Sequence, residues 1–124
     1  MTGALASNRK GKRMEQIGYE DFLKVDIRAG RITRVEAFPK ARNPSYKLWL
    51  DFGDLGERKS SAQVTRLYNP DDLVGRTVLA VVNFPPRQIA DFMSEVLILG
   101  VMEDPETVVL LQPDQTVTPG RRVL

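Results

Sequence analysis

Apolar and polar residues alternate in two segments of this chain, residues 25–29 and 46–52, which is the pattern of half-buried strands. The first such segment runs from Val25 to Ala29, with apolar side chains at the odd positions and charged ones at the even positions. The alternation changes phase after Gly30, because the next apolar residue is Ile32. A glycine at a phase change predicts a β-bulge or a sharp bend, which lets one strand serve two sides of a small barrel. The strand should end near Phe38.

The later segments complete an all-β pattern with short helices. Further strands are predicted at residues 46–52, 57–64, 77–82, 94–102 and 108–112. Asn69 and Pro70 are residue types favoured at the N-cap and the first position of a helix, and Gly75 can end that helix. Residues 18–23 predict one more helical turn. Five or six short strands with a helix between the third and the fourth predict a five-stranded OB-fold barrel.

The second predicted strand carries a candidate binding surface on its outward face. Lys47 and Trp49 share that face, and an exposed aromatic ring flanked by cations suits stacking on a nucleobase. Trp49 can instead lie under a loop or in a subunit interface, since a lone tryptophan is usually buried. The strand arginines Arg28, Arg31 and Arg34 either line one edge of that surface or only keep the sheet soluble.

Residues 84–93 combine a loop-like sequence with much apolar surface. Phe84, Ile89, Phe92 and Met93 fall between two strands, where a chain segment is ordinarily exposed. So much exposed apolar surface predicts a partner. That partner can be a second subunit, a bound peptide or the end of the barrel itself.

The composition favours binding over catalysis. The chain of 124 residues has single-domain size and contains neither cysteine nor histidine. Structural zinc sites, Ser-His-Asp triads and Cys-His pairs are therefore excluded, and no other nucleophile stands with a base and an oxyanion hole. We expect no catalytic residue, no metal site and no cofactor.

The sequence shows no feature of a membrane or secreted protein. No apolar run reaches the ~18 residues that a membrane span requires, and no secretory signal opens the chain. We therefore expect a cytoplasmic protein without membrane insertion. Residues 1–18 are predicted to be a flexible tail with a basic cluster at residues 9–13, and residues 19–124 to form the domain.

Charge is distributed unevenly along the chain, although the net charge is only +2. Residues 24–87 carry twelve Lys and Arg against seven Asp and Glu, whereas residues 88–120 carry six acids and no base. The basic block is able to attract phosphates. The alternative is an ordinary solvated surface of mixed sign.

Several segments together resemble the tRNA-binding domain family. They are residues 21–32, 46–48, 61–64, 83–89 and 92–100. The resemblance covers about residues 19–120, and it is strongest to the CsaA-like branch, whose members are described as secretion chaperones.

This resemblance implies an OB-fold homodimer with two alternative ligands. The N-terminal turn and the segments flanking the barrel would form the subunit interface. The tRNA-binding members recognise the shape of tRNA in a basic groove across the dimer, and their pattern maps onto Arg28, Lys47, Asn83, Arg87 and Ser94. CsaA-like members bind unfolded or export-bound polypeptides, and the candidates for that surface are Phe84, Phe92, Met93 and Trp49.

The chain departs from the tRNA-binding pattern at three places. Pro85 and Gln88 stand where those members have basic residues, and residues 94–97 replace their Ser-x-Gly-Met and introduce the acid Glu95. Each lost phosphate contact weakens binding and its salt dependence. We therefore predict a non-enzymatic, chaperone-like protein that acts on polypeptides in protein secretion, with structure-specific tRNA binding as the alternative.

Overall fold

The computed structural model describes residues 11–124 and shows a mostly-strand chain with short helices. The strands are β1 (Ile27–Ala37), β2 (Tyr46–Asp51), β3 (Glu57–Ala62), β4 (Thr77–Val81), β5 (Arg87–Ile89), β6 (Phe92–Ser94), β7 (Leu97–Ile98), β8 (Gly100–Asp104) and β9 (Thr107–Leu110). The helices are α1 (Tyr19–Leu23) and α2 (Pro70–Leu73), and a 3-10 turn covers Gly53–Leu55. The helix predicted between the third and the fourth strand is confirmed, with Asn69 at its N-cap and Pro70 in its first turn.

Five antiparallel strands form a nearly closed barrel, so the predicted fold class is confirmed. The strand order is β3-β2-β1-β4-β7, and two separate hairpins pair β5 with β6 and β8 with β9. β1 is long enough to serve two partners: residues 27–31 pair with β4 and residues 31–37 pair with β2. A single bent strand therefore joins the two sides of the barrel, as the phase change in the sequence predicts.

The irregularity in β1 lies slightly beyond the position where the sequence predicts it. The register with β2 shifts between Ile32 and Arg34, whereas Gly30 pairs regularly with Val78 of β4. Gly30 has a different role. A Cβ atom on it would lie 2.5 Å from Cε1 of Phe52, whose ring is fully buried in the barrel.

The core fills the barrel with mostly aliphatic side chains from several strands and from α2. Its fully buried members include Ile32, Leu48, Leu50, Phe52, Leu73 and Val78. Leu73 belongs to α2, so the helix between β3 and β4 packs against the core through one side chain. Alternate residues of β2 face this core, which leaves Lys47, Trp49 and Asp51 on the outer surface.

Two predictions about the chain after β4 are wrong. The single strand predicted at residues 94–102 is interrupted, because β7 pairs with β4 while β8 turns away to pair with β9. Residues 84–93 are not simply a loop, since they contain most of the β5–β6 hairpin, which turns at Ala90 with a φ of 52°. A run of apolar residues does not reveal where a strand changes its partner.

The C-terminal segment adds a pairing that the sequence did not predict. The amide of Gly120 donates to the carbonyl of Ala29 at 2.8 Å, and the amide of Val123 donates to the carbonyl of Ile27 at 2.8 Å. These bonds occupy the edge of β1 that β2 no longer reaches. The end of the chain therefore protects an otherwise open strand edge.

The predicted N-terminal tail is only partly visible. Residues 1–10 lie outside the described residues, and residues 11–18 contain no helix or strand. The boundary at residue 19 stays a prediction. No helix within residues 11–124 is long and apolar enough to cross a membrane.

Substituting Gly30 with alanine should destabilise the barrel. In an open strand this change stabilises by roughly 0.5–1 kcal/mol, but here the new methyl group would clash with the fully buried ring of Phe52. Because overpacking of a core costs about 1–3 kcal/mol, we expect the free energy of unfolding measured in urea to fall. In the double variant with Phe52→Leu, the smaller side chain should relieve part of this loss. If the two substitutions change the free energy of unfolding additively, the close approach between residue 30 and the Phe52 ring is contradicted.

A candidate binding groove and an adjoining cation–aromatic wall

A groove of about 700 Å³ opens where the end of β3 meets the β5–β6 hairpin. The β1–β2 loop forms one side, through Arg42 and Asn43 among others. The hairpin and the chain leading into it form the other side. Their groove residues include Phe84, Pro85, Arg87, Ile89, Ser94 and Leu97. We call this depression the groove.

The groove combines apolar side chains with a few charges. Phe84 and Leu97 leave 51% and 49% of their surface exposed, so the groove offers apolar surface to solvent. Arg42 and Arg87 add two cations, and Glu95 adds one acid. An apolar depression with a polar rim can hold an extended chain that carries large side chains.

Three side-chain hydrogen bonds and one backbone bond close the barrel next to the groove. The hydroxyl of Ser60 donates to the carbonyl of Val96 at 2.9 Å, and the amide of Ser61 donates to the hydroxyl of Ser94 at 3.1 Å. Glu95 donates its amide to the carbonyl of Lys59 at 2.8 Å, and its carboxylate accepts from the amide of Lys59 at 3.0 Å. These four bonds replace a regular ladder between β3 and the chain before β7.

The β5–β6 hairpin is anchored to the barrel by Phe92. This ring is only 6% exposed, and it packs edge-on against Phe38 at 5.5 Å and Trp49 at 6.0 Å between ring centres. At the hairpin turn, Nζ of Lys40 lies 2.9 Å from a carboxylate oxygen of Asp91. The hydrogen bond from Lys40 lowers the pKa of Asp91 below its ordinary value, so this link persists while the carboxylate is ionised.

Cations cover the aromatic side chains on the outer face of β1, β2 and β3. The guanidinium carbon of Arg34 lies 3.9 Å from the centre of the Trp49 ring. The ammonium groups of Lys47 and Lys59 lie 5.2 Å and 5.1 Å from the centre of the Phe92 ring. We call Arg34, Lys47, Trp49 and Lys59 the cation–aromatic wall. The wall adjoins the groove, but its residues do not line it.

The structure separates the five residues mapped from the tRNA-binding pattern. Arg87 and Ser94 lie in the groove and Lys47 lies on the wall. Arg28 and Asn83 are not groove residues, and both contact the segment before β1.

Arg28 and Asn83 have a visible structural role around Asp26. Nε of Arg28 lies 2.6 Å from a carboxylate oxygen of Asp26, and the side-chain oxygen of Asn83 accepts from the amide of Asp26 at 2.9 Å. Asn83 also donates to the carbonyl of Lys24 at 2.8 Å. These contacts join the start of β1 to the chain that leaves β4.

The four residues predicted for a polypeptide surface differ in accessibility. Phe84 lies in the groove and Met93 is exposed on the hairpin, whereas Trp49 is half-buried under Arg34. Phe92 is buried, so a contact between its ring and a ligand would require the hairpin to move. Their roles in binding stay predictions.

Sequence reasoning missed several residues of these two surfaces. Arg42 and Leu97 line the groove, and Lys59 lies directly across from Trp49 in the β2–β3 register. Lys59 could have been identified from the register of the β2–β3 hairpin, because the turn determines which residues of the two strands are cross-strand neighbours. Within residues 11–124, no group of three or more acidic side chains is arranged to hold a metal ion.

Comparisons with known proteins find similarity over nearly the whole domain. The family model described as "Putative tRNA binding domain" matches residues 27–122. The crystal structure of chaperone CsaA from Bacillus anthracis is 47% identical, with a TM-score of 0.86 over 89% of this chain and 100% of that one. The structure of CsaA chaperone protein from Picrophilus torridus is 48% identical, with a TM-score of 0.82 over 88% of this chain and 100% of that one.

Curated relatives include much longer enzymes. The methionine–tRNA ligase of Thermococcus kodakarensis is 33% identical over 115 residues, which are 93% of this chain and 15% of the ligase. That of Methanocaldococcus jannaschii is 34% identical over 113 residues, which are 91% of this chain and 17% of the ligase. The similarity to the ligases therefore concerns one shared domain.

Proposed function

Because the chain belongs to the tRNA-binding domain family and is similar throughout to CsaA chaperones, we propose that it binds exposed apolar segments of unfolded or export-bound polypeptides. It acts as a non-catalytic binding domain, and the cytoplasm is the compartment that suits this role. The observation that carries the proposal is the groove, in which Phe84 and Leu97 are each about half exposed.

The groove suits transient binding of an extended chain. An apolar side chain of the ligand would bury itself between Phe84 and Leu97, and each such burial contributes about 1.5–3 kcal/mol. Association costs offset much of this gain, so one or two anchors give weak and reversible binding. Reversibility is what a chaperone needs, because it has to release the polypeptide it protects.

The variant Phe84→Ser should bind an unfolded polypeptide at least about tenfold more weakly, since it removes one large apolar contact. The measurement is fluorescence anisotropy with a labelled, permanently unfolded protein. Leu67→Ser is the matched control, because Leu67 is equally exposed but does not line the groove. Equal binding by the wild type and both variants would mean that the polypeptide binds outside the groove.

A second candidate function is binding of tRNA, and the distribution of cations favours it. Arg42 and Arg87 in the groove adjoin the three cations of the wall, so one side of the barrel is able to attract phosphates. The similarity to a domain of methionine–tRNA ligases supports the same ligand. Glu95 opposes it, because this carboxylate lies in the groove.

The variant Arg87→Gln tests this second function. If Arg87 neutralises a phosphate, the slope of log affinity for tRNA against log salt concentration should become shallower by about one. Filter binding of labelled tRNA over a series of salt concentrations measures that slope. Arg31→Gln is the control, since Arg31 is exposed but lies outside the groove. A chain with no tRNA affinity even at low salt would exclude this function.

We further propose that the protein is a homodimer, with α1 at the interface. Within the described residues, Ile17, Tyr19 and Leu23 expose apolar side chains on and just before this helix. A helix of five residues cannot bury such a surface by itself. A second subunit would remove it from water.

The variant Leu23→Asp should shift the protein from dimer to monomer, because a charge buried in an apolar interface is costly. Sedimentation equilibrium measures the mass. Leu55→Asp is the control, since Leu55 is similarly exposed but lies in the turn after β2. A wild-type protein that sediments as a monomer would contradict the proposal.

A further inference from the structure

The cation–aromatic wall lies outside the polypeptide groove, and its chemistry differs from that of the groove. We propose that Arg34 and Trp49 form a platform on which one unpaired base of a single-stranded nucleic acid stacks, while Lys47 and Lys59 pair with its phosphates. The proposal rests on the nucleic-acid binding described above as the second function. It goes further by placing an unpaired segment on the wall.

The guanidinium of Arg34 is already held in a stacking position. Its central carbon lies 3.9 Å from the centre of the Trp49 ring, and the carboxylate of Glu36 accepts hydrogen bonds from two of its nitrogens, Nε at 2.8 Å among them. The Arg34 side chain remains 57% exposed. Its outer face is therefore open to a base, and guanidinium planes are known to accept stacked bases.

The irregularity in β1 places Arg34 at this position. Ile32 pairs with Leu50 and Arg34 pairs with Trp49, so the register shift removes Thr33 from the place opposite the indole. The hydroxyl of Thr33 instead donates to the carbonyl of Trp49 at 3.2 Å. Bulges often re-aim a side chain beside a functional site, and this one brings a cation onto an aromatic ring.

The indole of Trp49, on which Arg34 stacks, is itself held in place by packing. Trp49 is half-buried and meets the edge of the buried Phe92 ring at 6.0 Å between centres. A base that stacks on Arg34 therefore does not have to order the indole first. This preorganisation lowers the entropic cost of binding.

The two lysines supply the charge that a nucleic-acid backbone requires. Lys59 lies directly across from Trp49, and Lys47 lies two residues away on the same strand and face. Within residues 11–124, neither lysine takes part in an ion pair. Glu36 is paired with Arg34, Asp91 with Lys40, and Glu95 with the backbone amide of Lys59. Asp51, at the end of β2, shares the outer face, so three cations stand against few free carboxylates. The wall is therefore positive, and a phosphate would complement it.

The same arrangement disfavours an apolar polypeptide. Cations cover the faces of Trp49 and Phe92, so an apolar side chain could reach these rings only by displacing the charged groups. A nucleic-acid strand satisfies both parts of the wall at once, because its bases stack and its phosphates are anionic.

Trp49 is the only tryptophan in the chain, so intrinsic fluorescence reports directly on the platform. The full chain is titrated with a short unstructured oligouridylate, and we expect the fluorescence to be quenched. The variant Arg34→Lys keeps the charge but loses the planar group. Its affinity should fall about tenfold, since stacking is worth roughly 1–3 kcal/mol per base, while the salt dependence stays the same. Arg31→Lys, on the same strand, should bind as the wild type does.

Heparin provides a polyanion without bases, and Arg34→Lys should bind it as well as the wild type does. An equal loss of affinity for heparin and RNA would mean that the guanidinium of Arg34 contacts anionic groups and not a base, and would overturn the platform. Binding of RNA without quenching of the Trp49 fluorescence would also overturn the platform. Quenching by an unfolded polypeptide but not by RNA would overturn it as well. If tRNA binds and Arg34→Lys changes nothing, the platform fails while the second function stands. If no RNA binds at low salt, both fail.

Discussion

The barrel depends on how the gap between β3 and β7 is closed. A regular ladder would need continuous backbone pairing, but here the side chains of Ser60, Ser94 and Glu95 make three of the four closing hydrogen bonds, and one backbone bond joins Glu95 to Lys59. Ser60 is fully buried, so its bond to the carbonyl of Val96 satisfies a group that water cannot reach. The groove begins beside this seam, and Ser94 belongs to both. The hydrogen bonds that close the barrel and the proposed binding groove therefore share a residue at this place.

The β5–β6 hairpin links the groove to the wall. Phe92 on this hairpin packs under Lys47 and Lys59, whereas Arg87 and Ile89 on its other strand line the groove. One buried ring thus holds a proposed binding surface on each side. The two surfaces remain chemically distinct, because half-exposed apolar side chains dominate one and cations over aromatic rings form the other. Such a division would let one small barrel offer separate places to a polypeptide and to a nucleic acid.

Local chemistry explains why much of this fold could be read from the sequence. Alternation with a period of two located the first two strands, the turn residues at 53–56 located the third and a continuous apolar run located the fourth. Asn69 with Pro70 located α2, since all these signals depend only on neighbouring residues. The phase change near Gly30 correctly indicated that β1 serves two sides of the barrel. The apolar residues at 94–102 misled because they continue through a change of partner, from β4 to β9.

The sequence by itself determined the first four strands, the short helix between the third and the fourth, and the residue types of the proposed binding surfaces, because residue type and spacing control local conformation. Only the tertiary structure decided which of these residues lie next to one another. Lys59 faces Trp49 because the turn at Gly53–Leu55 sets the β2–β3 register, and a slip of one residue would send Lys59 to the opposite face. Phe92 is buried while its neighbour Met93 is exposed, for the same reason of alternating faces on a short hairpin strand. Such choices depend on contacts between residues far apart in the chain, which local patterns do not encode.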